Sequence, residues 1–137
     1  METTCKKEII ELHTFFEEWF NGAIEQTRTN FRRLENVLDS NFTLITPSGI
    51  KQSREELIPL LWEAAGSRVN KESPLDIWIE NYLFKQLGSD LYLVTYEEWQ
   101  KDEKRKRGRL STAIFKKEMN EYNNLLWLHV HETWLPA

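Results

Sequence analysis

Residues 91–101 read LYLVTYEEWQK, and this stretch indicates the fold more clearly than any other part of the chain. It is rich in Val, Thr, Tyr and Trp and contains neither Gly nor Pro, a composition that favours a β-strand. Turn-forming residues precede it at 88–90 (GSD), and a charged turn follows at 102–108. We therefore predict one long strand here, and a strand of about ten residues curls as it twists.

Strand patterns continue on both sides of this stretch, whereas the first half of the chain has helical spacing. Strands are predicted at residues 42–46, 75–87, 109–117 and 125–135. Helices are predicted at residues 6–23, 30–38 and 53–66, where apolar residues recur mainly at three- and four-residue steps. Helices followed by an antiparallel meander indicate an α+β fold. Because helix 1 covers one face of the curled antiparallel sheet, we expect a pocket at the open end.

Local signals set the ends of two helices. Ser53 and Glu56 have the spacing of a capping box, in which each side chain accepts a hydrogen bond from the other residue's amide. Pro59 falls inside the same helix and is expected to kink it or break it into two short turns. Thr29 is the predicted N-cap of the second helix.

Length and composition exclude several classes of protein. The chain has 137 residues, 40% of them hydrophobic, so we predict one domain over residues 1–137. The lone cysteine, Cys5, excludes an internal disulfide and a cysteine-built zinc site. A net charge of -4 gives no support for general nucleic-acid binding, and no stretch of ~18 apolar residues can span a membrane. The N-terminus lacks the apolar segment of a secretory signal, so the expected location is the cytoplasm.

Four stretches, in this order and spacing, resemble a known superfamily. They are residues 15–22 (FFEEWFNG), 38–49 with 53–57 (LDSNFTLITPSG, SREEL), 88–96 (GSDLYLVTY) and 127–133 (WLHVHET). The chain resembles the nuclear transport factor 2-like superfamily, in particular its SnoaL-like branch, and its ending is similar to the association domain of calcium/calmodulin-dependent protein kinase. The resemblance implies a cone-shaped, cystatin-like α+β fold and a homodimer. It also implies a function among isomerases, dehydratases, cyclases, transport factors and binding modules.

Glu98 is the candidate general base. Strand parity places Tyr96 and Glu98 on one face, and the resemblance to the kinase association domain places that face toward the cavity. A carboxylate in an apolar pocket has a raised pKa and can abstract a proton. The alternative is a solvated carboxylate near the strand end, or one paired with Arg109 across the hairpin.

His129 and His131 are two residues apart on the last strand, so their rings are expected on one face, together with Trp127. Such a pair can exchange a proton near neutral pH, but a metal site needs a third ligand that the sequence does not show, so no metal is predicted. The alternative is a pair of structural or interface histidines. Phe16 and Trp19, on the apolar face of helix 1, complete the predicted ligand-binding set with Tyr96 and Trp127.

Two surface features concern partners. Trp99, Trp127 and Trp134 lie on late strands, and we expect the outer sheet face to pack against a second copy of the chain. Residues 101–109 carry six basic residues against two acidic ones, a run that suits a solvated hairpin or, as an alternative, contact with RNA.

The sequence therefore leaves three classes of function open. One is a dimeric module that binds a small, partly apolar ligand in the cone cavity or serves as an association module. Another is a cofactor-independent isomerase, dehydratase or cyclase, in which Glu98 abstracts a proton and Tyr96, His129 or His131 stabilises the resulting oxyanion. A scaffold or nucleic-acid contact through the basic hairpin is a third. None of these requires a cofactor, and the sequence has no Gly-rich phosphate loop or nucleophile elbow.

Overall fold

The computed structural model describes residues 1–136. Along the chain they form α1 (Glu2–Phe20), α2 (Arg28–Glu35), β1 (Leu38–Ile45), β2 (Lys51–Ser53), α3 (Arg54–Glu63), β3 (Asp76–Gln86), β4 (Leu91–Lys101), β5 (Lys106–Lys117) and β6 (Leu125–Trp134). The six strands form one sheet in the order β2-β1-β6-β5-β4-β3. Neighbouring strands are antiparallel, except that β1 and β6 run parallel.

The helices lie on one face of the curved sheet, with α1 against β3 and α3 against β1. Trp19 and Phe31 from the helices and Phe115 and Trp127 from the strands are fully or almost fully buried between the two layers. The rings of Phe115 and Trp127 meet edge to face at 4.4 Å between centroids. The predicted α+β class, a cone-shaped sheet packed against N-terminal helices, is confirmed.

The helix ends follow the capping signals, with two corrections. The capping box of Ser53 and Glu56 is present in full at the start of α3. That helix continues through Pro59 to Glu63, so the predicted break is wrong. The N-cap of α2 is Thr27, whose side chain accepts from the Asn30 amide at 3.1 Å, and not Thr29.

A bulge in β6 decides which side chains of that strand face the helices. Phe115 pairs with Trp127, but the next residue back along β5, Ile114, pairs with His129, so Leu128 is an extra residue in β6. Strict alternation therefore fails at this point. Trp127 is buried under the helices. His129 and His131, by contrast, lie on the opposite, outer face of the sheet.

The fully buried carboxylate of Glu8 joins the helix layer to the sheet. Glu8 on α1 accepts from both Arg33 guanidinium nitrogens, at 2.7 and 3.2 Å. It also accepts from Trp127 Nε1 at 2.9 Å and from Asn123 Nδ2 at 2.9 Å. One side chain thus connects α1, α2, the turn before β6 and β6 itself.

Candidate functional site

Helices α1, α2 and α3 and the concave sheet face enclose a cavity of about 160 Å³. Apolar side chains form most of its wall and come from every layer of the fold, among them Leu12, Phe16, Phe42, Leu44, Leu57 and Val130. An apolar cavity of this kind, with few polar groups in its wall, is the usual form of a small-molecule site.

The structure brings together four of the seven predicted site residues. Phe16, Tyr96, Glu98 and Trp127 line the cavity. Trp19 lies behind it in the core, where its ring packs against Phe15 and Phe31 and its Nε1 donates to the Leu61 carbonyl at 2.8 Å. The prediction that Trp19 contacts a ligand is therefore wrong, because the indole is turned into the helix layer.

His129 and His131 are not in the cavity wall. The bulge at Leu128 turns Trp127 inward while the two histidines stay on the outer face, where they pair with Thr43 and Ile45 of β1. Their predicted roles in the pocket are wrong for this reason. Trp127 likewise does not belong to the outer face, and Trp134 shares the inner row with Glu132.

Four charged side chains meet in the cavity wall: His13, Glu98, Arg109 and Glu132. His13 Nε2 lies 3.0 Å from Glu98 Oε1, and Arg109 Nη2 lies 3.4 Å from Glu98 Oε2. Arg109 Nη1 donates to Glu132 Oε1 at 3.0 Å. Gln100 Nε2 also donates to Glu98 Oε2. The pairing of Glu98 with Arg109, the alternative drawn from the hairpin, is present.

His13 is positively charged in this network. Its Nδ1 lies 2.7 Å from the Ile9 carbonyl oxygen and its Nε2 faces the Glu98 carboxylate, so both ring nitrogens meet acceptors and both must carry protons. Burial by itself lowers the pKa of His13, but the charge and hydrogen bond of Glu98 raise it overall.

Glu98 does not have the raised pKa expected of a general base. Burial opposes its ionisation, but His13, Arg109 and Gln100 outweigh burial and lower the pKa of Glu98 to about 2. Both of its oxygens already accept hydrogen bonds or ion pairs. A carboxylate so stabilised is a weak base, so this geometry does not support the role assigned from the sequence.

Glu132 and His13 are the charged cavity residues that the sequence did not identify. Glu132 follows Val130 in the inward row of β6, and Ser111 of β5 pairs with both Tyr96 and Glu132. Burial raises the pKa of Glu132 above its ordinary value, against the opposing effect of Arg109. Strand parity counted from Val130 would have located Glu132, but the histidines drew attention to the other face.

Three of the six basic residues in the run 101–109 of the β4–β5 hairpin contact aromatic or acidic side chains. The Lys106 ammonium lies over the rings of Trp78 and Trp99, at 5.5 and 5.1 Å from their centroids. The Arg107 guanidinium lies 3.7 Å from the ring centroid of Trp134. Arg109 is in the cavity wall, whereas the other five basic residues of the run are exposed to solvent.

Residues 1–136 lack two further features. They contain no group of three or more His, Cys, Asp or Glu side chains placed to hold a metal ion. In the same part of the chain, no helix is long and apolar enough to cross a membrane.

Solved structures with this architecture are nuclear transport factor 2-like. An NTF-2 like protein of unknown function from Pseudomonas aeruginosa superposes with a TM-score of 0.83 at 24% identity, covering 97% of this chain and 99% of that one. The association domain of CaMKII from C. elegans superposes with a TM-score of 0.65 at 17% identity, covering 96% and 97% of the two chains. At these identities the likeness shows the fold.

Curated relatives are larger proteins. Sucrose-phosphatase 2 of Nicotiana tabacum is 31% identical over 129 residues, which are 93% of this chain and 30% of the relative. Sucrose-phosphatase 1 of the same plant is 30% identical over the same shares. The chain thus spans about 30% of the length of these relatives. The protein-family model that matches is not specifically SnoaL-like, and it covers residues 5–136. The chain belongs to the family described as sucrose-6-phosphate phosphohydrolase C-terminal.

Proposed function

We propose that this chain is a binding module whose cone cavity takes a small, mostly apolar molecule. The observation that carries the proposal is the cavity itself, about 160 Å³ in volume, with an apolar wall and one buried ionic network. An engineered apolar cavity of about 150 Å³ is known to bind benzene, so this space suits a ligand with a single ring. The proposal does not assign sucrose-phosphatase activity, since the chain corresponds to about 30% of those relatives.

Filling the cavity tests the proposal. In an NMR titration with p-xylene, we expect shifts of the amide resonances of Tyr96 and Val130, which line the space. Val130→Phe, which places a larger ring in the cavity, is expected to abolish these shifts. Leu60→Phe is the matched control, because Leu60 is 56% exposed on α3. Shifts that survive in Val130→Phe would show that p-xylene binds elsewhere.

The enzymatic alternative loses its general base in this arrangement. An isomerase, dehydratase or cyclase built on Glu98 needs a carboxylate that can take a proton near neutral pH, and the pKa of Glu98 is about 2. His129 and His131, the other proposed participants, lie on the outer face. We therefore propose binding rather than catalysis for this cavity.

Self-association through the outer sheet face is a second proposed function. Within residues 1–136 the helices cover only the concave face, and Leu83, Leu91 and Leu110 are among the exposed large apolar side chains. Leu110 pairs with Glu97 and Thr133 in the middle of the outer face. Solved neighbours that share the fold include kinase association domains from C. elegans and Exiguobacterium sibiricum. These observations support a homodimer through this face.

Light scattering after size exclusion tests the homodimer. The chain has a mass of 16.4 kDa, and we expect about twice that mass at micromolar concentration. Leu110→Lys is expected to return the protein to the monomer mass, because it places an ammonium group in an apolar interface. Leu60→Lys, on the helical side, should leave the dimer intact. A wild-type monomer would contradict the proposal.

The cytoplasm remains the proposed location. The lone thiol supports it: Cys5 is fully buried in α1, and burial raises its pKa to about 11. Such a thiol is unreactive and takes part in no disulfide within the chain.

A further inference from the structure

We infer that the ligand of this cavity is an uncharged molecule with one ring and a hydroxyl group, which donates a hydrogen bond to Glu132. This inference rests on the proposed binding function and goes beyond it by naming the chemical class. It follows from three properties of the cavity: its charge balance, one unused acceptor and its size.

The charges in the wall already balance. His13 and Arg109 supply two positive charges, and Glu98 and Glu132 supply two negative charges, all within one connected set of contacts of 3.0 to 3.4 Å. A ligand carrying a net charge would bring an unmatched charge against a mostly apolar wall, and the loss of its hydration would weaken its binding. The balance therefore disfavours carboxylates, phosphates and ammonium compounds alike.

One acceptor in the wall is unused. The side chain of Glu132 is 8% exposed, and its Oε1 accepts from Arg109. Among the described residues its Oε2 accepts no hydrogen bond, and this oxygen is not fully buried by protein atoms. In Glu98, by contrast, both oxygens are engaged. A carboxylate oxygen that lacks a donor inside an apolar wall favours a ligand that supplies an O–H group.

Size and wall chemistry limit the rest of the ligand. Rings and aliphatic side chains without hydrogen-bonding groups, including Phe16, Phe42 and Leu44, surround most of the remaining space. The Tyr96 hydroxyl and the Gln100 amide are uncharged polar side-chain groups in the wall. A molecule with several hydroxyls would leave most of them without partners, at a cost of about 1–3 kcal/mol each. A volume of about 160 Å³ suits a ligand with one ring. The apolar wall therefore disfavours disaccharides, which carry many hydroxyl groups.

Four probes of similar size separate the alternatives: p-cresol, p-xylene, benzoate and benzylammonium. NMR titrations of the whole chain, followed at Tyr96 and Val130, give the dissociation constant of each. We expect p-cresol to bind on the order of tenfold more tightly than p-xylene, because one hydrogen bond to a charged acceptor separates them. We expect both charged probes to bind more weakly than p-xylene.

Glu132→Gln provides the internal check. It removes one negative charge, so the network gains a net positive charge and benzoate should bind more tightly than in the wild type, while the preference for p-cresol declines. Glu97→Gln is the matched control, since Glu97 lies on the outer face of β4 and should alter neither preference.

The outcomes distinguish the inference from the function on which it rests. If p-xylene binds as tightly as p-cresol, or a charged probe binds best in the wild type, the inferred ligand class is wrong although the cavity is a binding site. If none of the four probes shifts the cavity resonances, the proposed function fails together with the inference. Should Glu132→Gln not fold, the wild-type titrations still decide the question.

Discussion

Replacing Glu8 by Ala is expected to lower the free energy of unfolding by about 3–5 kcal/mol, the range for removing one partner of a buried ion pair. The substitution leaves the Arg33 guanidinium without its bidentate partner. It also removes the acceptor of the Trp127 indole N–H, which has no contact with solvent at this depth. Urea unfolding followed by circular dichroism measures the loss.

Glu11→Ala is the matched control for this experiment. Glu11 lies one turn along α1, is 44% exposed and has its own contacts with Arg33 and Asn123. Its removal is expected to cost less than about 1 kcal/mol, as for other exposed pairs. A double-mutant cycle between Glu8 and Arg33 isolates their coupling. Equal losses for Glu8→Ala and Glu11→Ala would show that the buried carboxylate does not join the two layers as described.

The stability of the protein is expected to be greatest in mildly acidic solution, between about pH 4.5 and 6.5. The pKa of Glu98 is lowered from 4.5 to about 2 on folding, so its stabilisation is present above pH 4.5 and is lost as the pH falls toward 2. The pKa of His13 is raised above 6.5, so its stabilisation is present below pH 6.5 and is lost as the pH rises through the folded value. The pKa of Glu132 is raised above 4.5, so its contribution is present below pH 4.5, falls as the pH rises through the folded value, and shifts the optimum toward the acid end of this range.

Glu98→Gln separates this effect from the protonation of other carboxyl groups. On the acid side the Glu98 contribution amounts to on the order of 3 kcal/mol, so the variant should be much less stable than the wild type near pH 5.5. The difference should shrink markedly by about pH 2.5, because the Glu98 carboxylate of the wild type is then becoming protonated and losing its ion pairs. Glu97→Gln, on the opposite face of the same strand, should differ from the wild type by a similar small amount at both pH values. A Glu98→Gln difference that does not change with pH would refute the description of the network.

Local patterns predicted much of the fold. The bounds of β4 are those read from the sequence, since turn residues flank a run of strong strand formers. The capping box at Ser53 was predicted for the same reason: both partners lie within four residues of each other. Tyr96 and Glu98 were placed correctly in the wall because β4 has no bulge between them and strict alternation holds.

The errors arose where distant parts of the chain meet. The bulge at Leu128 is visible only in the pairing of β5 with β6, and it reversed the expected positions of the two histidines relative to Trp127. The burial of Glu8 in α1 could not be predicted, because nothing local shows that Arg33 and Trp127 surround it. The pKa of Glu98 likewise depends on His13, which lies 85 residues earlier in the chain.

The parallel pairing of β1 with β6 has a consequence for the order in which the protein folds during synthesis. Of the six strands in residues 1–136, β6 is synthesised last, yet it lies between β1 and β5 and joins the two parts of the sheet. Until residues 125–134 emerge, the β1–β2 hairpin has no neighbouring strand, and Phe42, almost fully buried in the finished fold, has no complete core. Nascent chains that stop before this point should remain bound by chaperones, because such long-range contacts form late.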